Sequence, residues 1–197
     1  MIAYIEGKLT HKDPTFVIID IGGLGYEIKI SLSTFGAIKH LERCKLHTHL
    51  NVKEDSHTLF GFFELIEKKL FLSLISISGV GPSTGLMVLS SLSAAELQQA
   101  IINGDVSTIQ SVKGIGAKTA QRIVLELKDK MAKENLGDNN VIIQPKSHNT
   151  VKREALSALI TLGYNKGMAE KTVDRILKNS GDDISLEELI RLALKTA

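Results

Sequence analysis

From residue 2 to residue 63, apolar positions alternate with polar ones or gather in short β-branched runs. The alternation predicts strands at residues 2–9, 15–21, 26–31 and 45–53, with Leu59-Phe60-Gly61-Phe62-Phe63 as a fifth. Asp13-Pro14 and Gly22-Gly23-Leu24-Gly25 divide the runs, since proline presets φ and glycine leaves it free. One short helix fits at residues 31–40. Five short strands with a helix between the third and fourth outline a small closed barrel. An OB-fold barrel and an SH3-like barrel both fit that outline.

At Glu64 the period changes from two to that of a helix. The run ELIEKKLFLSLISI places Leu65, Leu70, Leu72 and Ile75 on a wide apolar stripe, and a second helix is expected at 84–92. Ser93-Ala94-Ala95-Glu96 reads as a capping box opening a helix over 94–103, which stops at Gly104. Asp105 or Ser107 caps a short helix after it, and a strongly amphipathic helix runs to Met131. Residues 64–131 are thus expected to form a compact domain of five or six helices. Residues 133–150, rich in Gly, Asn, Asp, Pro and Ser without periodicity, read as a flexible linker. Three short amphipathic helices follow at 151–162, 168–178 and 185–195. A module of that size folds alone only marginally and suits the binding of another protein.

Within the central region one pattern occurs twice. Ser78-Gly79-Val80-Gly81-Pro82-Ser83-Thr84 and Val112-Lys113-Gly114-Ile115-Gly116 each set an aliphatic residue between two glycines, between two helical segments, 35 positions apart. A repeated unit is a stronger signal than either copy alone. Both copies read as helix-hairpin-helix motifs. The glycines let another backbone approach, and the next helix presents N–H groups and the positive end of its dipole. A phosphate is the natural guest. The expected donors are the backbone N–H groups of Val80, Gly81, Ile115 and Gly116, in turns that also contain Gly79 and Gly114. Ser83, Thr84, Lys118, Thr119 and Arg122 are expected to add side-chain contacts, with Lys113 beside them. Such contacts grip DNA without reading its sequence, and the grip should weaken steeply with salt.

Composition narrows the function by exclusion. The 197 residues carry a net charge of only +2, and basic and acidic residues are evenly divided among the three regions. A nucleic-acid surface must therefore come from local placement. Cys44 is the single cysteine, which excludes an internal disulfide and a cysteine-rich zinc site. The N-terminal MIAYIEGKLTHKD has no signal-peptide pattern and no window is apolar enough to span a bilayer, so a cytoplasmic protein is expected. A base-excision glycosylase would share the Gly-x-Gly hairpin, with Lys118 as nucleophile and Asp129 or Asp138 as acid. Against this, Asp129 lies in the charged stretch Lys128-Asp129-Lys130, Asp138 lies in the linker, and the chain has no tryptophan for stacking a base. The pair His47-x-His49 reads as a strand feature rather than a ligand site. No metal or other cofactor is called for, and no catalytic residue is assigned.

Glu54-Asp55, between the fourth and fifth strands, would alone be an ordinary polar turn. Its surroundings change that. The segment from Val52 to Phe62 resembles the acidic pin of the RuvA family, the bacterial Holliday-junction recognition proteins. Met1-Ile2 with Gly7, Gly22-Gly23-Leu24-Gly25-Tyr26-Glu27, Gly79-Val80-Gly81-Pro82, Gly114-Ile115-Gly116-Ala117-Lys118-Thr119-Ala120 and Ala158-Leu159-Ile160-Thr161-Leu162-Gly163-Tyr164 stand in that family's order and spacing. The resemblance implies a multidomain α+β chain: an OB-fold barrel (1–63), a double helix-hairpin-helix domain (64–132), the linker, and a three-helix, UBA-like module (151–197). It implies a homotetramer, or an octamer on DNA, across which four-way DNA lies during recombination and repair. Glu54 and Asp55 would gather at its centre and repel phosphates. The third module would contact the RuvB ATPase hexamer, for which Leu159, Leu162, Tyr164, Met168 and Ile176 are candidates; the RuvC resolvase is a further candidate partner. The chain itself would be non-enzymatic, leaving ATP hydrolysis to RuvB. Two positions depart from the family. Ser83 and Ala117 stand where many members have lysines, which implies fewer fixed cations at the hairpins unless Lys113 and Lys118 compensate. A general structure-specific DNA adaptor without junction selectivity is the alternative.

Overall fold

The computed structural model describes residues 1–135, 148–180 and 184–195, in two compact units, one on each side of residue 139. The first unit opens with β1 (Tyr4–Lys12), β2 (Phe16–Asp20) and β3 (Gly25–Ile30), then α1 (Leu32–Ile38), β4 (Arg43–Val52) and β5 (His57–Phe62). The strands close into a barrel in the order β1-β2-β3-β5-β4, with β3 and β5 parallel and every other pair antiparallel. A helix between the third and fourth strands and a parallel β3–β5 seam make this the OB-type barrel, which decides between the two outlines. Alternate residues fill it: Ile5 and Leu9, Val17 and Ile19, Ile28 and Ile30, Cys44 and Leu46. Gly7 lies on the same inward face, and a Cβ there would stand 2.2 Å from the Asp20 carbonyl oxygen. Only glycine allows β2 to close over β1 at that point. Burial pushes the Cys44 thiol up to about 11, consistent with an inert core residue.

Five helices follow: α2 (Leu65–Ile75), α3 (Pro82–Ser91), α4 (Ala94–Asn103), α5 (Val106–Gln110) and α6 (Ala117–Asn135). The stripe on α2 differs from the expected one. Leu70, Phe71 and Leu74 are buried together with Glu67, at helical spacing, whereas Leu65 and Leu72 face outward. Helix α3 starts two residues before the expected 84, because Pro82 takes its first helical position, where a missing N–H costs nothing. The Ser93–Glu96 capping box and the left-handed Gly104 that ends α4 are both present. Asp105, not Ser107, caps α5: its carboxylate accepts the Thr108 N–H and both nearby hydroxyls.

The boundary near residue 63 is not a break in packing. Phe60 and Phe62 of β5 join the helical core, with ring centroids 5.2 and 4.8 Å from that of Phe71 on α2. Beside them the buried Glu67 carboxylate accepts the hydroxyls of Ser31 and Thr34, and the Thr34 hydroxyl in turn accepts the Phe63 N–H at 3.1 Å. Burial holds this carboxyl above the usual carboxylate range, against the pull of the two hydroxyl donors. Barrel and helices are one body, pinned at the first turn of α1.

The second unit holds α7 (His148–Thr161), α8 (Lys166–Ser180) and α9 (Leu186–Lys195). Ala155, Leu159, Ala169, Val173, Ile176, Leu189 and Ala193 make its core. Gly163, at φ +96°, turns the chain from α7 to α8, and Tyr164 donates its N–H back to the Leu159 carbonyl. Lys152 pairs with Asp174 across α7 and α8. Helices α6 and α7 both extend into the segment 133–150. The rest of the expected linker, Asp138 included, lies outside the described residues.

Candidate nucleic-acid interface

The two hairpins superimpose residue for residue in their bonding. In the first, Ile77 donates to the Leu74 carbonyl at 3.1 Å and Val80 to the Ile77 carbonyl at 3.0 Å. In the second, Val112 donates to Ile109 at 3.3 Å and Ile115 to Val112 at 3.1 Å. Gly79 and Gly114 take φ values of +93° and +87°, a conformation other residues adopt only under strain. Ile77, Val80, Val112 and Ile115 all point into the core, between 2% and 5% exposed. The helix after each turn begins in the same way, with Gly85 donating to the Gly81 carbonyl and Ala120 to that of Gly116, each at 2.9 Å.

This geometry corrects part of the donor set. The N–H groups of Val80 and Ile115 are spent inside the turns and their side chains are buried, so neither faces an approaching phosphate. The N–H groups of Gly79, Gly81, Gly114 and Gly116 have no partner among the described residues. A Cβ placed on Gly79, Gly81 or Gly116 would meet nothing within 4 Å. Gly81 caps α3 without a side-chain bond, and the first-turn N–H groups of α3 and α6 have no helical acceptor. Each turn therefore offers exposed glycine backbone whose donors are unpartnered among the described residues. Ser83, Lys113 and Lys118 are exposed beside these donors, and Thr84 and Thr119 are half-buried.

Arg122 does not stand clear of the protein. Its Nη1 donates to the Ser78 carbonyl at 3.0 Å, and its Nε lies 3.6 Å from the Glu126 carboxylate. Ser78 belongs to the other hairpin. Met87 was not singled out by motif reading, yet its Sδ lies 3.9 Å from where a Cβ of Gly114 would be. Met87 and Arg122 are 35 positions apart, the same offset as the glycines, so an alignment of the two copies would have paired them.

Glu54 and Asp55 sit at the exposed tip between β4 and β5, where Val52 pairs with His57 and Lys53 donates to the Ser56 carbonyl at 2.8 Å. No basic side chain pairs with either carboxylate among the described residues. His47 and His49 are half-buried, and His49 packs edge-on to Phe71, 5.7 Å between centroids. Burial and the neighbouring Lys68 hold the His49 imidazole below its ordinary value. In the second unit the five candidates separate. Leu159 and Ile176 are core and Tyr164 packs against it, while Leu162 and Met168 are each 60% exposed on either side of the Gly163 turn. Among the described residues no three His, Cys, Asp or Glu side chains converge as metal ligands, and no single helix is long and apolar enough to cross a membrane.

An OB-type barrel fused to twin backbone-presenting hairpins, with a separate three-helix unit, defines the class: a tandem helix-hairpin-helix protein of the DNA-binding kind. Comparison with known proteins makes this specific. Residues 1–61 match the RuvA N terminal domain, 71–129 the SAM-like Helix-hairpin-helix tandem, and 150–197 the RuvA, C-terminal domain. A Holliday junction branch migration complex subunit RuvA from Cytophaga hutchinsonii is 59% identical, with 99% of each chain covered. Proteins of the same name from Christiangramia forsetii and Geotalea daltonii are 53% and 41% identical, again with 99% of this chain covered and 99% and 98% of theirs. The chain belongs to the RuvA family.

Proposed function

We propose that this chain is the junction-binding subunit of a branch-migration complex, gripping four-way DNA through its hairpins and working in the cytoplasm with a RuvB ATPase. The single observation that carries the reading is the pair of congruent turns, whose exposed glycine N–H groups have no acceptor among the described residues, within one compact unit. They suit phosphates on two backbones and carry no means of reading bases. The rigid fusion of barrel and helices keeps the pin at a set position relative to the hairpins. In a fourfold assembly, Glu54 and Asp55 of each subunit would bring eight carboxylates to the axis. Their repulsion would separate strands at a crossover and disfavour plain duplex. The exposed Leu162 and Met168, beside the Gly163 turn, are the part of the third unit suited to an apolar partner surface, as the RuvB contact requires. The chain contributes grip and selection, and the chemistry of ATP hydrolysis belongs to the partner.

The test is a titration of four-way junction against linear duplex of equal length. Junction affinity should exceed duplex affinity by at least about tenfold, roughly 1.4 kcal/mol. Glu54→Gln with Asp55→Asn should narrow the gap by raising duplex binding. Equal affinities for the two DNAs would leave the general adaptor reading in its place.

A further inference from the structure

We infer that Arg122 is a positioning residue that braces the first hairpin from the second, acting within the DNA-binding reading above. Counting from the second glycine of each turn, Met87 and Arg122 occupy the same place, six residues on, along α3 and α6. Each leaves its own hairpin and reaches toward the turn of the other. Met87 brings its sulfur beside Gly114, and Arg122 brings its guanidinium to the Ser78 carbonyl. The exchange is reciprocal but unequal in chemistry. Met87 sets its adaptable thioether 3.9 Å from where a Gly114 Cβ would stand, with no directional bond. Arg122 offers a charge-assisted hydrogen bond, which fixes both distance and direction.

The carbonyl it takes is the one next to Gly79. That carbonyl and the Gly79 N–H share one planar peptide and point in opposite directions, so holding the Ser78 oxygen toward α6 aims the Gly79 N–H away from it. The Glu126 carboxylate, one turn along α6, steadies the guanidinium from behind. Lys113 stands in the second hairpin where Ser78 stands in the first, and no arginine from α3 reaches it. The first hairpin, which has no cation of its own between Ser78 and Thr84, is the one that receives the brace. A turn that must grip with backbone donors and hydroxyls alone depends most on their being pre-aimed.

The test uses the full chain in two arms. Without DNA, Arg122→Gln and Arg122→Met should speed amide exchange at Val80, whose N–H closes the first turn on Ile77, by about fivefold or more, leaving its counterpart Ile115 unchanged. With junction DNA, the loss from Arg122→Gln combined with Ser83→Ala should be smaller than the product of the two separate losses. Combined with Lys118→Gln, the losses should multiply. Unchanged exchange at Val80 in both variants overturns the inference, as do losses that multiply with Ser83→Ala. Because the exchange arm needs no DNA, it stands even if the binding reading fails.

Discussion

The first hairpin is approached by α2, eleven residues long, and the second by α5, only five. Yet the turns that follow are bonded alike, glycine for glycine. Helix α2 is held by bulk: Phe71 stacks with Phe60 and Phe62, and Glu67 is locked to α1. Helix α5 has too few residues for that and is held by its cap. Asp105 accepts three hydrogen bonds at its start, and those bonds, the Ser107 and Thr108 hydroxyls foremost, draw its carboxyl down to about 2. The hairpins also differ in charge. Ser78 and Ser83 in the first stand where Lys113 and Lys118 stand in the second. The comparison teaches that the repeat preserves a backbone, while its support and its electrostatics are free to diverge.

The largest effect should come from removing the support under the first turn. Ile77→Ala deletes a side chain 2% exposed and should cost about 2–5 kcal/mol of stability in chemical denaturation. Val112→Ala, with less to lose, should cost visibly less. A destabilisation under about 1 kcal/mol at Ile77 would show that the first turn does not depend on the shared core.

Charge comes next. Lys113→Gln and Lys118→Gln should each reduce the slope of log affinity against log salt by about 0.9 for junction DNA. Ser83→Ala should leave that slope where it is, and Ser83→Lys should raise it by a similar amount, giving the first hairpin what the second has. Equal slopes for all four variants would remove the electrostatic half of the comparison.

The smallest effect is confined to acid. The Asp105 carboxyl lies below its ordinary 3.8, so its contribution is fully present above that value and is lost as pH falls toward about 2. Asp105→Ser keeps a capping oxygen without a titrating group, and should flatten stability against pH across that interval. An unchanged acid limb would mean that the cap does not hold α5.

Much of this was legible in one dimension. The change of period at Glu64, the capping box at Ser93 and Glu96, the stop at Gly104 and the doubled Gly-x-Gly all depend on neighbours within a few positions. The turn at Glu54-Asp55 was legible because a turn between two strands needs only local chemistry, while its reading as a pin came from the family resemblance. Other features were hidden for a physical reason. Glu67 reads as a solvent-facing helix residue until Ser31 and Thr34, more than thirty positions away, close over it. Arg122 reads as a free cation until the Ser78 carbonyl, 44 residues earlier, is found at its tip. Val80 and Ile115 read as donors because a motif does not say which of its N–H groups the turn itself consumes.

The sequence by itself determined which segments are strands and helices, where the chain turns, and that one unit is used twice, because periodicity, capping and glycine act over a single turn or a strand pair. Only the tertiary structure decided that barrel and helices form one body, which backbone donors are left without acceptors, and that an arginine of the second hairpin's helix bonds the first hairpin's turn. Those outcomes depend on carbonyls and rings brought together across dozens of residues, where no local preference records the partner.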